Sequence, residues 1–391
     1  MFNSIRSTIK DTDVIDIHVH IGGPPGENER LYFWSGTFEK SISFEGIKLV
    51  TRLKESQLTG LRYVSMLYDQ LRNSQFVDKL VLLGLDKVYS EEGIPLKEAT
   101  HLYVANEYLV HLTRIIPEFL FGCSVHPFAP DALERLWHCV NNGAVLCKWL
   151  PSSQAIDPTH PYSVRFYRAL GELDLPLLLH VGPEATIPSA MKREEERLVN
   201  AAAGRFSQDI GAAINLALNA GAKVILAHSG TPLGSFLDRD NSYWESVFEF
   251  VLAFFRDQSA ESSLYADVSA FCLPGRFKYV KDIISLAKDA PERFLYGSDF
   301  PIPIVSLSES KALEDILKAF GWLAGRALPH NDFDKNYQLL KPHFPDQTFS
   351  EAAKVLRNPQ KTPLDLGKYL RRMKVRKKRF FWFQGRSGRI T

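Results

Sequence analysis

The residues of this 391-residue chain best suited to chemistry are histidines and one aspartate placed at the ends of short apolar runs. His18 and His20 lie two apart in VIDIHVHIG, and because side chains alternate along a strand both face the same way. His180 ends LLLHV, His228 ends ILAH, and Asp299 closes LYGSD. Two or three imidazoles with one carboxylate suit a zinc-type shell that leaves one position open. A cation held there would lower the pKa of its water to about 7 and so activate that water at neutral pH. Ionisable groups gathered amid aliphatic runs would each cost several kcal/mol if left unpaired, on the order of a buried polar group's desolvation. Binding one metal meets that cost at a single point.

Eight apolar, β-branched or leucine-rich runs must position these groups: 14–22, 79–86, 119–126, 144–150, 175–181, 223–229, 263–270 and 293–299. The intervals between them mix charged and apolar residues as covering helices do, which predicts a parallel sheet. Eight such strands predict a (β/α)8 barrel. No GxGxxG follows the first run, and the polar residues fall at C-terminal strand ends, the active-site face of such a barrel. Residues 1–326 are therefore read as a metal-dependent barrel with a helical insertion at 23–78, and 327–391 as a C-terminal helical extension. The 23–78 and 182–204 segments both leave C-terminal strand ends and are expected to wall the pocket.

Composition is that of an ordinary globular protein, 45% hydrophobic and 24% charged. No apolar stretch reaches the length of a spanning helix and the N-terminus lacks a signal-like run, so a cytoplasmic location is expected. Cys123, Cys139, Cys147 and Cys272 share no CxxC spacing and read as reduced thiols. The net charge of +2 hides an asymmetry: residues 371–391 carry nine Lys/Arg and no acid, leaving 38 basic against 45 acidic residues before them, a net of −7. The basic tail with its aromatic run Phe380–Phe383 is expected to pack on this acidic body or on a second copy. Neither nucleic acid nor membrane is an expected partner; a small-molecule substrate is, and a homodimer is allowed.

The order HxH, Lys, His, His, Asp across successive strands, with IDIHVHIG, HVGPE, LAHSG and YGSDFP, resembles the amidohydrolase superfamily. Within it the likeness is to the amidohydrolase-2 branch that includes aminocarboxymuconate semialdehyde decarboxylase, over residues 14 to about 325. The resemblance implies that His18, His20, His180 and Asp299 hold one divalent metal, expected to be zinc, and that His228 with Asp299 handles protons. Lys148, in VLCKWLPSS, stands where binuclear members carry a carboxylated lysine. It is read here as an ammonium that pairs with a buried acid or a substrate anion. His126 in SVHPF could reach the pocket or serve the turn after it, and Glu184 could orient a ligand or a substrate group. Asp16 and Asp267 are read as structural.

The expected activity is hydrolysis, water attacking an amide, lactone or ester-like carbon of a small molecule. A lyase reading, non-oxidative decarboxylation of an unsaturated or aromatic carboxylate, uses the same residues. A third reading, from another class, is a barrel retired from catalysis that serves as a binding protein.

Overall fold

The apolar runs become the strands of a (β/α)8 barrel. The computed structural model describes residues 8–51, 59–181, 187–188, 210–231, 242–257, 263–271, 276–302, 331–358, 369 and 371–373. In chain order the strands are β1 (Ile15–His20), β2 (Tyr32–Trp34), β3 (Lys79–Leu83), β4 (Leu102–Val104), β5 (Phe119–Cys123), β6 (Ala144–Trp149), β7 (Leu177–Leu179), β8 (Val224–Leu226), β9 (Leu264–Asp267) and β10 (Phe294–Leu295). Eight of them form one parallel sheet ordered β1-β3-β5-β6-β7-β8-β9-β10. The sheet closes on itself after β10: Ile17 N–H donates to Tyr296 O, Asp299 N–H to His18 O and His20 N–H to Phe300 O, at 3.2, 2.9 and 2.8 Å.

Residues on alternate positions divide between two cores. One face packs the helices around the barrel, with Val19, Leu80, Leu82, Phe121, Leu177 and Val224 buried against them. The other, including Ile15, Ile17, Val81, Leu120, Leu178, Ile225 and Leu295, fills the interior. Ala352, Ala353, Val355 and Leu356 join this interior cluster, so the segment after the barrel seals the end where the strands begin. Arg357 fastens that seal, its N–H donating to Val145 O and its Nε to Leu173 O, both at 3.0 Å.

All eight expected barrel strands are present, but they end earlier than the apolar runs. The last residues of each run leave the ladder to build the rim, most clearly at 293–299, where only Phe294–Leu295 is strand. The excursion after β1 does hold helices, including Gly60–Arg72, whose Thr59 cap accepts from Arg62 N–H. It also holds β2, which pairs antiparallel with β4 in a small second sheet over the rim. That pair was not expected, because strands of three residues carry no legible alternation. Cys123, Cys139 and Cys147 are buried free thiols, while Cys272 and the tail from 374 lie outside the described residues. Among the described residues no helix is long and apolar enough to cross a membrane.

Candidate metal centre

The rim cluster is built where β1 meets the turn after β10. The β1–β3 register shifts between Asp16 and Val19. There Asp16 Oδ1 accepts the N–H groups of His18 and Ser298, at 3.1 and 2.9 Å, tying the two chain segments together. Complete burial pushes the Asp16 carboxyl up to about 7. Asp299, held at φ 64 by this turn, carries its carboxylate over β1. His18 Nε2 and His20 Nε2 each stand 3.3 Å from Asp299 Oδ1. Ligands about 2.0–2.1 Å from one tetrahedral cation are separated by about 3.3 Å, so these three atoms are spaced as edges of such a shell. His18, His20 and Asp299 together could hold a metal ion.

Asp267, the last residue of β9, organises the neighbouring groups. Its Oδ2 accepts from His18 Nδ1 at 2.8 Å, which leaves His18 Nε2 with its lone pair toward Asp299. Its Oδ1 accepts from the N–H of His228 at 2.7 Å and from the N–H and hydroxyl of Ser269. Because the Ser269 hydroxyl proton is given to Asp267, its oxygen accepts from His228 Nδ1 at 2.7 Å, and His228 Nε2 keeps its lone pair. That nitrogen lies 3.8 Å from Asp299 Oδ2. His228 and Ser229 both adopt left-handed backbone, φ 53 and 51, a conformation that costs non-glycine residues about 1–3 kcal/mol each. Asp267 at the His228 N–H, Ser229 Oγ on Asp267 O and Thr231 Oγ1 on His228 O hold it in place. His18, His228 and Asp267 also converge, but their facing atoms are already engaged in this network.

Charge follows the geometry. Burial works to raise Asp299, yet His18, His20 and Lys148 outweigh it and bring the carboxyl to about 2. Burial, then the charge of Lys148, holds His18 below the ordinary imidazole range. Burial, then Arg276, holds His228 well below it, so both rings are neutral at pH 7.

His180 takes its place at the end of β7, its N–H donating to Trp149 O at 3.1 Å. Its ring meets that of His228 edge-on at 5.2 Å, and it lines the same cavity as His18, His20 and Asp299. The Nζ of Lys148, fully buried on β6, lies 3.1 Å from His18 Nε2. His126 is turned to the framework: Nε2 donates to Gln154 O, Nδ1 accepts from Phe128 N–H, and the ring does not line the cavity. Glu184 lies outside the described residues. Two residues that the sequence reading passed over belong to the site. Arg276 lines the cavity with Nη1 on Thr231 O, and Tyr63 donates its hydroxyl to His20 O at 2.9 Å. Arg276 carried one usable signal, a cation in the loop that leaves the seventh barrel strand.

No curated protein matches the sequence. Among solved structures, a candidate 2-pyrone-4,6-dicarboxylic acid hydrolase from Pseudomonas putida is 15% identical, with a TM-score of 0.49, covering 90% of this chain and 99% of its own. A candidate amidohydrolase from Staphylococcus aureus is 15% identical at a TM-score of 0.43, covering 84% and 100%. The amidohydrolase family model matches residues 15–335, a span that contains all eight barrel strands, and the chain belongs to that family.

Proposed function

We propose that this protein is a hydrolase in which His18, His20, His180 and Asp299 hold one zinc ion. His228 and Asp299 move protons as water is added to an amide, lactone or ester-like carbon. The observation that carries the reading is the pair of 3.3 Å separations joining Asp299 Oδ1 to two imidazole nitrogens, spaced as metal ligands are. A bound cation would supply Lewis acidity, polarising the substrate carbonyl. His228, neutral and with its Nε2 lone pair toward Asp299, is set to take a proton from the attacking water and return it to the leaving group. Asp299, ionised beside it, can share that proton at Oδ2. Lys148 places a positive charge where negative charge grows on the substrate oxygen.

The test is turnover of a panel of lactones, amides, esters and unsaturated carboxylates by full-length protein of known metal content, run in ¹⁸O-water. The reading expects ¹⁸O in the product and loss of turnover on chelation, restored by zinc. Carbon dioxide release without ¹⁸O incorporation makes the protein a lyase, and full turnover without metal overturns the proposal.

A further inference from the structure

His228 stands on the turn that leaves β8, and three consecutive residues of that turn are left-handed: His228, Ser229 and Gly230, at φ 53, 51 and 65. Glycine takes this backbone freely, but His228 and Ser229 keep it only where surrounding contacts over-determine it. At the start of the turn Asp267 supplies them, its Oδ1 accepting the His228 N–H and its O the Ser229 hydroxyl, both at 2.7 Å. At the middle, a Cβ added to Gly230 would meet methyls of Val251 and Val181 at 3.1 and 3.3 Å, so the core backs the turn closely. At the end Thr231 closes it, with N–H and hydroxyl both on His228 O, at 2.9 and 2.6 Å. Thr231 is in turn held by Arg276, which reaches over from the segment after β9. Arg276 Nη1 donates to Thr231 O at 2.7 Å and to Thr231 Oγ1 at 3.0 Å. The directions agree: the hydroxyl gives its proton to His228 O, and its oxygen receives the Arg276 N–H. A charged donor polarises that hydroxyl and strengthens the bond it makes to His228. Arg276 and Thr231 are 6% and 2% exposed, so water does not compete for either bond.

We propose that Arg276 is a positioning residue for His228: acting through Thr231, it locks the left-handed turn that aims the His228 ring. The ring must satisfy two partners at once, with Nδ1 2.7 Å from Ser269 Oγ and Nε2 3.8 Å from Asp299 Oδ2. A small drift of the turn breaks one of these relations, and a drift of about 1 Å is enough to cost a reacting group much of its effect. The consequence for turnover rests on the reading of His228 as the group that moves protons, whereas the lock itself is a property of the fold.

NMR of full-length protein carrying isotope-labelled histidine, as purified and after chelation, reads the ring tautomers, and the His228 signals are those missing in His228→Ala. The parent should show His228 with its proton on Nδ1 and His126, whose Nε2 donates to Gln154 O, as the opposite tautomer. Arg276→Met and Thr231→Val should draw the two His228 nitrogen signals together, as the ring leaves Ser269 and both tautomers mix, with His126 unmoved. Thr231→Val removes only the hydroxyl, so it tests the strap even where loss of Arg276 lowers the thermal midpoint. Arg276→Lys and Thr231→Ser, which keep a donor and a hydroxyl, should recover most of the separation. With phenyl acetate as the ester probe, kcat in Arg276→Met and Thr231→Val should fall roughly 10- to 100-fold with KM within about twofold. Adding Arg276→Met to His228→Ala should then cost nothing more. Folded variants with parental His228 signals overturn the lock. A spectral change shared equally by His126 overturns it too, since Arg276 would then support the barrel at large. A raised KM with kcat intact makes Arg276 a substrate contact and also overturns it. The two readings fail separately: mixed His228 tautomers without metal-dependent turnover retire the hydrolase and keep the lock. Metal-dependent turnover with unchanged His228 signals does the reverse.

Discussion

Replacing Asp267 by Asn tests how the centre is wired, because the two carboxylate oxygens have opposite demands on them. Oδ1 receives three donors, the N–H of His228, the N–H of Ser269 and the Ser269 hydroxyl. An amide NH₂ cannot take that position without facing all three, so Asn must keep its oxygen there and turn its nitrogen to the place of Oδ2. That nitrogen then lies 2.8 Å from His18 Nδ1, donor against donor. The clash is relieved when His18 moves its proton from Nδ1 to Nε2, the nitrogen 3.3 Å from Asp299 Oδ1. A protonated Nε2 is no ligand. Loss of a carboxylate that orients a metal-binding histidine costs about 10–100-fold in metal affinity, roughly 1.4–2.7 kcal/mol. Competition against a chromophoric chelator would measure it, with the thermal midpoint recorded to show that the variant is folded. An Asp267→Asn protein that is folded and binds zinc as tightly as its parent would refute both the tautomer assignment and the role of His18 Nε2.

Three further outcomes are expected. His228→Ala should keep its metal while kcat falls about 10²–10⁴-fold, the usual loss for a positioned acid/base; a variant that purifies metal-free would make His228 a ligand. Lys148→Met should hold one equivalent of zinc per chain by elemental analysis and lose turnover. Two equivalents in the parent, dropping in the variant, would instead establish a carboxylated lysine bridging two ions about 3.5–4 Å apart. His126 contributes acid lability. Burial sets its folded pKa at about 4 against 6.5, so the unfolded chain takes up the proton first; stability is full above about pH 6.5 and falls by about 3 kcal/mol as pH drops to 4. Urea unfolding across that window should show a shallower pH slope in His126→Gln, and identical slopes would disprove the assignment.

The parts of this protein readable along the chain are those whose cause is local. Apolar runs of strand length separated by mixed helical segments are enough to count eight strands and to predict the barrel that the structure contains. The two-residue spacing of His18 and His20, and the polar residues ending runs at 180, 228 and 299, mark the active rim for the same reason, since strand periodicity is a property of neighbours in sequence. What folding alone decides is which of those groups meet and in what state. Asp267 looked structural because its partner His18 is 249 residues away, and only barrel closure brings the two within 2.8 Å. His126 has the strand-end position of a site residue, yet Gln154 and Phe128 turn both its ring nitrogens inward to the framework. Arg276 enters the cavity through its anchorage on Thr231, a contact across 45 residues. A one-dimensional pattern records which residues are polar and how they alternate, but proton positions and ligand edges depend on distances between strands, and those exist only once the sheet has closed.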